Sequence, residues 1–245
     1  MNTPRIFVGT MYSEESEFRE SCDKISAQKG VVVEHHIIKG MREFEAHNEL
    51  WSAWGSRKQD FDLFIKVDAD TIIDDDLMFS KISSEFNKNP RLTGMQIPLH
   101  DYFTDDLIAG LNCFSPKVVF VPASSRLHAD HADRNHDQVM KGQSVSHLTP
   151  AGRHCASPSP VQSFHYGLHR MKKNQTETIR KVFNAWQRLG GDGRLFALYG
   201  AECAITQGVD HDYSTVSFET AFRNASQNPY DEARIESVIK RLGVS

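Results

Sequence analysis

The sequence predicts an α/β protein: a mostly parallel central sheet flanked by helices, followed by a helical C-terminal portion. Three observations carry that expectation. Apolar runs of strand length alternate with helical segments through the first 70 residues, two carboxylates one residue apart close the third run, and apolar residues beyond residue 160 repeat at helical spacing.

Residues 5–10 form an apolar run that reads as a buried strand. Ser13 followed by Glu14, Glu15 and Glu17 reads as a capped, acid-rich first turn of a helix that ends near Gly30. A second strand is expected over 31–38, a helix over 43–54 and a third strand over 62–67. Residues 75–87 suit a helix with Leu77, Ile82 and Phe86 inward, 94–98 a strand, 108–114 another, and 117–121 a short core element. The polar, His-rich segment 124–136 reads as a loop or short helix, and 145–149 as a short strand. Ser157-Pro158-Ser159-Pro160 interrupts regular structure before a helix over 161–172. Ile179, Val182, Phe183, Trp186 and Leu189 mark a further helix stopped by Gly190 and Gly191, and Ile235, Val238, Ile239 and Leu242 a last one.

With 245 residues, 39% of them hydrophobic and 24% charged, the chain is globular and long enough for a sizeable core. No repeat or long linker divides it, so 1–245 is expected as a single domain: a nucleotide-binding half over 1–100, an acceptor and metal-completing half over 101–175, and a helical extension over 176–245. Lys and Arg number 28 against 32 Asp and Glu, for a net charge of −4, so no global basic field points to nucleic acid or an anionic membrane. Cys22, Cys113, Cys155 and Cys203 are scattered without a CxxC pair, which suits free thiols in a reducing compartment. With no signal-peptide pattern and no apolar run long enough to cross a bilayer, the expected location is the cytoplasm.

The chemistry concentrates where the apolar run Phe61-Asp-Leu-Phe-Ile-Lys-Val meets Asp68-Ala-Asp70. In extended chain, residues i and i+2 point the same way, so both carboxylates can meet one hard cation where the strand ends. Strand-to-loop acids continuing into Asp74–Asp76 would also suit a plain turn. Parallel half-sheets bind ligands at the carboxyl ends of their strands, which places Thr10, Tyr12, His36 and Asp68 where a nucleotide would lie.

A βαβαβ half ending in an apolar strand and DxD resembles glycosyltransferases of the GT-A fold (Rossmann-like), especially the bacterial family-2-like group. Ala151-Gly152-Arg153-His154, ahead of PSPVQSFHYGLHRMKK, looks like that family's C-terminal signature. The resemblance implies Mn²⁺ or Mg²⁺ held by Asp68, Asp70 and His154, and a nucleotide-sugar donor. UDP-sugar is favoured and GDP-sugar comes second. Arg170, with Lys172 and Lys173, would meet the diphosphate, and His165 and His169 share one helix face. The family's base precedes that His by roughly 15 to 20 positions; Asp137 and Asp133 compete for the role, with His136 where the first acid is usual. A carboxylate base suits an inverting displacement by an acceptor hydroxyl. The acceptor is a glycan, a lipid-linked saccharide or another hydroxyl-bearing molecule, nucleic acid included.

Two rivals stand beside this reading. VDADTII also resembles the haloacid-dehalogenase phosphatase signature DxDxT, with Asp68 as nucleophile, although that motif normally closes the first strand of its domain. A protein that binds a nucleotide sugar without turnover would share the same fold.

Overall fold

The computed structural model of the chain describes residues 3–123, 137–206, 215–227, 235–236 and 239–240. They fall into two compact units, Met1–Asp101 with Asp106–Ser157, and Tyr102–Asp105 with Pro158–Ser245.

The first unit is built on one mixed sheet. Strand β1 (Arg5–Tyr12) leads to helix α1 (Phe18–Ser26), β2 (Val32–Lys39), helix α2 (Glu43–Arg57) and β3 (Leu63–Lys66). β1 pairs in parallel with β2 on one side and β3 on the other, as the alternation of apolar runs and helices predicts. A two-residue strand β4 (Thr71–Ile72), helix α3 (Met78–Lys88) and the hairpin β5 (Gly94–Asp101) and β6 (Asp106–Phe114) follow, then β7 (Val139–Met140) and β8 (Arg153–His154). The strand order is β2-β1-β3-β6-β5-β8-β4, with β7 on β5. Because β6 lies antiparallel to both β3 and β5, the sheet is parallel in its first half and mixed beyond it.

Two cores cover the sheet. Ile6, Val8, Ile65 and Val67 pack with Ile25 of α1 and Phe79, Ile82 and Phe86 of α3, while Phe7 and Phe64 pack with Leu50, Trp51 and Trp54 of α2. The period of two along β1 sends Ile6 and Val8 to one face and Phe7 to the other, so every residue of the central β3 is buried.

The second unit is helical: α4 (Pro160–Lys172), α5 (Thr176–Leu189), α6 (Asp192–Thr206) and α7 (Thr215–Gln227), with helical turns at 235–236 and 239–240 where Ile235 and Ile239 are buried. Ser159 caps α4 with a full capping box, its hydroxyl accepting from Gln162 N–H, and Pro160 opens the first turn. Gly167 and Gly200 let α4 and α6 meet backbone to backbone; a Cβ on Gly167 would stand 1.6 Å from the Ala197 carbonyl oxygen. The tip of the β5–β6 hairpin belongs to this unit, where Arg194 donates from Nη2 to Tyr102 O at 2.6 Å and Phe103 stacks on Tyr166.

Several expected elements differ. Residues 145–149 are not a strand but lie largely in a 3-10 helix, Gly142–Leu148, whose two buried residues, Val145 and Leu148, stand three apart, the 3-10 repeat rather than the strand repeat. Helix α1 begins at Phe18, not Ser13, because Glu14 takes a left-handed φ of 70° and Glu17 is drawn inward. Leu77 is exposed, unlike Ile82 and Phe86. Residues 117–121, by contrast, pack on the core as expected, with Val118 buried and Phe120 stacked on Trp51. The segment 124–136, with Asp133, lies outside the described residues.

Candidate metal centre

The site is assembled at the carboxyl end of β3 by two short strands. β4 pairs antiparallel with β8, setting Thr71 opposite His154, and β8 pairs in parallel with the end of β5, setting His154 beside Asp101. Gly152 permits this contact: a Cβ there would fall 2.1 Å from the Ile72 carbonyl oxygen. Arg153 adds a two-pronged grip on Asp74 across the same strand pair, at 2.8 and 2.9 Å.

His154 is held as metal-ligating imidazoles usually are. Its Nδ1 donates to Asp101 Oδ1 at 2.7 Å, and Asp101 is wholly buried. That bond turns Nε2 toward Asp70, whose Oδ2 lies 3.5 Å away. Cys155 Sγ donates to the same Oδ2 at 3.1 Å, and its backbone N–H bonds Asp70 O at 2.9 Å. The other oxygen, Asp70 Oδ1, is buried and accepts no hydrogen bond among the described residues. A buried, unsatisfied carboxylate oxygen is costly unless a cation meets it.

Asp68 is half-exposed and ion-paired to the ammonium of Lys66, a buried lysine of β3. Burial raises its pKa, but Lys66, and then His47 of α2 and His154, outweigh that and leave Asp68 below the usual carboxylate range. Asp70 moves the other way. Burial raises it, with Asp68 and Glu17 adding repulsion against the opposing pull of His154 and the Cys155 thiol. Glu15 is raised to about 7, mainly by burial, with the charges of Asp70 and Asp68 contributing. Glu17 Oε1 accepts from Ser157 N–H at 2.8 Å, while Ser16 Oγ donates to Ser157 O at 2.8 Å, tying the loop after β1 to the loop after β8. Oxygen donors crowded round one imidazole fit Mn²⁺ well and Mg²⁺ through the carboxylates.

Of the residues singled out in the sequence, Asp70 and His154 come together here, while Asp68 pairs with Lys66 and feels the other two electrostatically. Thr10 is buried at the end of β1; its hydroxyl donates to Val67 O at 2.8 Å and meets His35 Nε2 at 2.9 Å. Tyr12 stacks on Phe18 at 4.0 Å with the Lys39 ammonium over both rings, and His36 stacks on Phe7. Arg170 belongs to the second unit, where it lies over the Tyr166 ring and donates to Gln175 Oε1. Asp137 does not open a helix. It is exposed, just ahead of β7, which pairs with β5 at Gly94 and Met95. Asp101 closes the other end of β5, so roughly 20 Å of strand separates the level of Asp137 from Asp101 and the His154 beside it.

The structure also brings in residues that sequence reasoning passed over: Asp101, Cys155, Lys66, His47, Glu15 and Glu17. Lys66 carried a visible signal, a lone charge in an apolar strand two residues before Asp68 and so on the same face. Cys155 directly follows His154. Glu15 and Glu17 read as first-turn helix acids, and nothing local marks Asp101, which only the β5–β8 register delivers.

The phosphatase signature fits less well. Thr71 follows Asp70 directly where DxDxT has a residue between, it is buried, and two βα units precede β3.

No protein-family model and no curated protein sequence matches the chain. Among solved structures, it is similar to the mannosyltransferase PcManGT from Pyrobaculum calidifontis in complex with GDP-Man and Mn²⁺, at 10% identity and a TM-score of 0.44, over 98% of this chain and 87% of that one. A likeness of this extent assigns no activity.

Proposed function

We propose that the chain is a metal-dependent glycosyltransferase that moves a sugar from a nucleoside-diphosphate sugar to an acceptor hydroxyl. The observation that carries the reading is Asp70, whose Oδ2 lies 3.5 Å from His154 Nε2 and whose Oδ1 is buried without a hydrogen bond among the described residues, with the imidazole held from behind by Asp101, at the carboxyl end of a βαβαβ half-sheet. Asp68, Asp70 and His154 would hold Mn²⁺ or Mg²⁺. Such an ion supplies neutralisation of the charge that grows on the departing diphosphate.

The chain's own groups do the rest. Asp101 keeps the His154 proton on Nδ1, leaving Nε2 a lone-pair donor. Lys66 holds Asp68 ionised, so that carboxylate needs no proton removed before it can bind. Thr10 ties β1 to Val67 at the start of the DxD turn, Tyr12 closes β1, and His36 lies inside β2, stacked on Phe7. With Asp137 at the far end of β5, Asp133 is the remaining candidate base for an inverting displacement. UDP-sugar is the first donor to test and GDP-sugar the second; the acceptor is a glycan, a lipid-linked saccharide or another hydroxyl-bearing molecule.

Thermal-shift and calorimetric titrations with UDP-, GDP- and CMP-sugars, with and without Mn²⁺, test this directly. A donor at about 100 times its Kd stabilises by about 2.7 kcal/mol, so one nucleotide class should raise Tm in the presence of Mn²⁺ and not in Asp70→Ala. No metal-dependent stabilisation by any of the three would overturn the reading.

A further inference from the structure

We propose that Cys155 is itself a ligand of this centre, so that the site takes thiophilic divalent ions such as Co²⁺, Zn²⁺ and Cd²⁺ through a sulfur bond as well as hard ions through its carboxylates. The inference deepens the metal site of the proposed glycosyltransferase and rests on that site, but not on any transfer activity.

Three observations point the same way. One ligand atom each from Asp70, His154 and Cys155 lies within 4.8 Å of the others. Sγ is 3.1 Å from Asp70 Oδ2 and 3.7 Å from His154 Nε2, so one ion can meet all three atoms. The third observation concerns the backbone. Cys155 sits at φ 51°, in the left-handed region where a side chain costs about 1 kcal/mol or more and glycine would rest without strain. The chain holds a thiol in that strained position through the bond from Cys155 N–H to Asp70 O.

The plain alternative is that the thiol only donates to Asp70 and orients it. The two roles differ in chemistry. As a ligand, Cys155 exchanges its S–H bond for an S–metal bond; the proton passes to buffer, and Asp70 Oδ2 loses its thiol donor and gains the ion. Carboxylate and imidazole alone form a borderline-hard set, whereas a thiolate adds a soft donor that favours Co²⁺, Zn²⁺ and Cd²⁺ over Mg²⁺.

The test is a Co²⁺ titration of the full chain, read by absorption and by calorimetry in two buffers of different ionisation enthalpy. Wild type should develop a sulfur-to-cobalt charge-transfer band in the near ultraviolet alongside the visible ligand-field bands, and release one proton per ion from the thiol. Cys155→Ser should lose the charge-transfer band, keep its ligand-field bands and bind Co²⁺ at least about tenfold more weakly, the lower end of what even outer-shell groups contribute. Its Mg²⁺ affinity should fall less than its Co²⁺ affinity. Should Cys155→Ser fold poorly, a ¹¹³Cd resonance in the thiolate range in wild type that is absent from Cys155→Ala gives the same answer.

Co²⁺ binding without a charge-transfer band, or a band that survives in Cys155→Ser and so belongs to another cysteine, overturns the proposal, as does failure of Co²⁺ to bind. The donor titrations with Mn²⁺ are separate. A sulfur band without donor binding sinks the transferase reading alone, and donor binding without a sulfur band sinks the Cys155 ligand alone.

Discussion

Asp101 shows how much of the site depends on a residue that would touch no ion. It is fully buried at the end of β5, and its bond to His154 Nδ1 decides which imidazole nitrogen carries the proton. In Asp101→Asn the side chain keeps its shape but can present an amide N–H to Nδ1, which favours the other tautomer and puts a proton on Nε2, where a ligand needs a lone pair. Outer-shell carboxylates of this kind typically account for 10–100-fold in metal affinity. Asp101→Asn should therefore bind Mn²⁺ about 10–100-fold more weakly by calorimetry while keeping its helical content by circular dichroism. Unchanged affinity would mean that His154 is not a ligand. The sequence exposes the candidate ligands but not this partner: Asp68, Asp70 and His154 announce themselves by strand, spacing and residue type, whereas Asp101 is one acid among many until the β5–β8 register is known.

Among the elements, the smallest carry the most function. β4 and β8 are two residues each, yet their pairing sets His154 against the DxD turn, and it depends on Gly152 having no side chain. A Cβ 2.1 Å from the Ile72 carbonyl oxygen cannot be relieved by a side-chain rotation, so β8 must retreat from β4. Gly152→Ala should lower stability by about 1–3 kcal/mol and abolish the Mn²⁺-dependent rise in Tm together. If Tm falls while the metal response stays whole, the strand pair does not build the site. Long elements with clear apolar patterns were legible: β1, β2, α2, α3 and α5 stand close to where the apolar runs put them. The elements that escaped had patterns the rules do not separate. Helix α6 buries nine residues on all sides and so lacks a stripe, and the apolar pair in 142–148 repeats at three rather than two. Residues 137–140 are drawn into extension because the Gln138 carbonyl accepts from both Thr93 N–H and Gly94 N–H, bonds that a sequence window cannot contain.

At the scale of the whole molecule, the titrating groups that folding perturbs predict how the protein responds to acid. His35 in the first unit is depressed from 6.5 to about 4 by burial and then by His36; His165 in the second unit falls equally far through burial and then Lys173. Both imidazoles are neutral in the folded chain, so the unfolded chain takes up more protons once pH drops below about 6.5, and the stability they contribute is lost progressively down to about 4. Glu15 opposes them. Its folded pKa of about 7 lies above the usual 4.5, so its contribution is complete below 4.5 and disappears as pH rises through 7. Two groups lose what one gains over nearly the same window. A shift of this size is at most about 3 kcal/mol per fully shielded group, and solvent screening of the half-exposed His35 and Glu15 reduces their shares. The net expectation is a loss of about 2 kcal/mol between pH 7 and 4, or roughly 4–8 °C in Tm for a chain of this length. Thr10 is the hydrogen-bond partner of His35, and Phe218 packs edge-on against His165, so each ring can be replaced with different demands: His35→Gln keeps a polar group toward Thr10, and His165→Phe keeps an aromatic ring beside Phe218. Each variant should flatten the fall in Tm on acidification, and Glu15→Gln should steepen it. Parallel Tm-against-pH curves for wild type and all three variants would show that other groups govern acid unfolding.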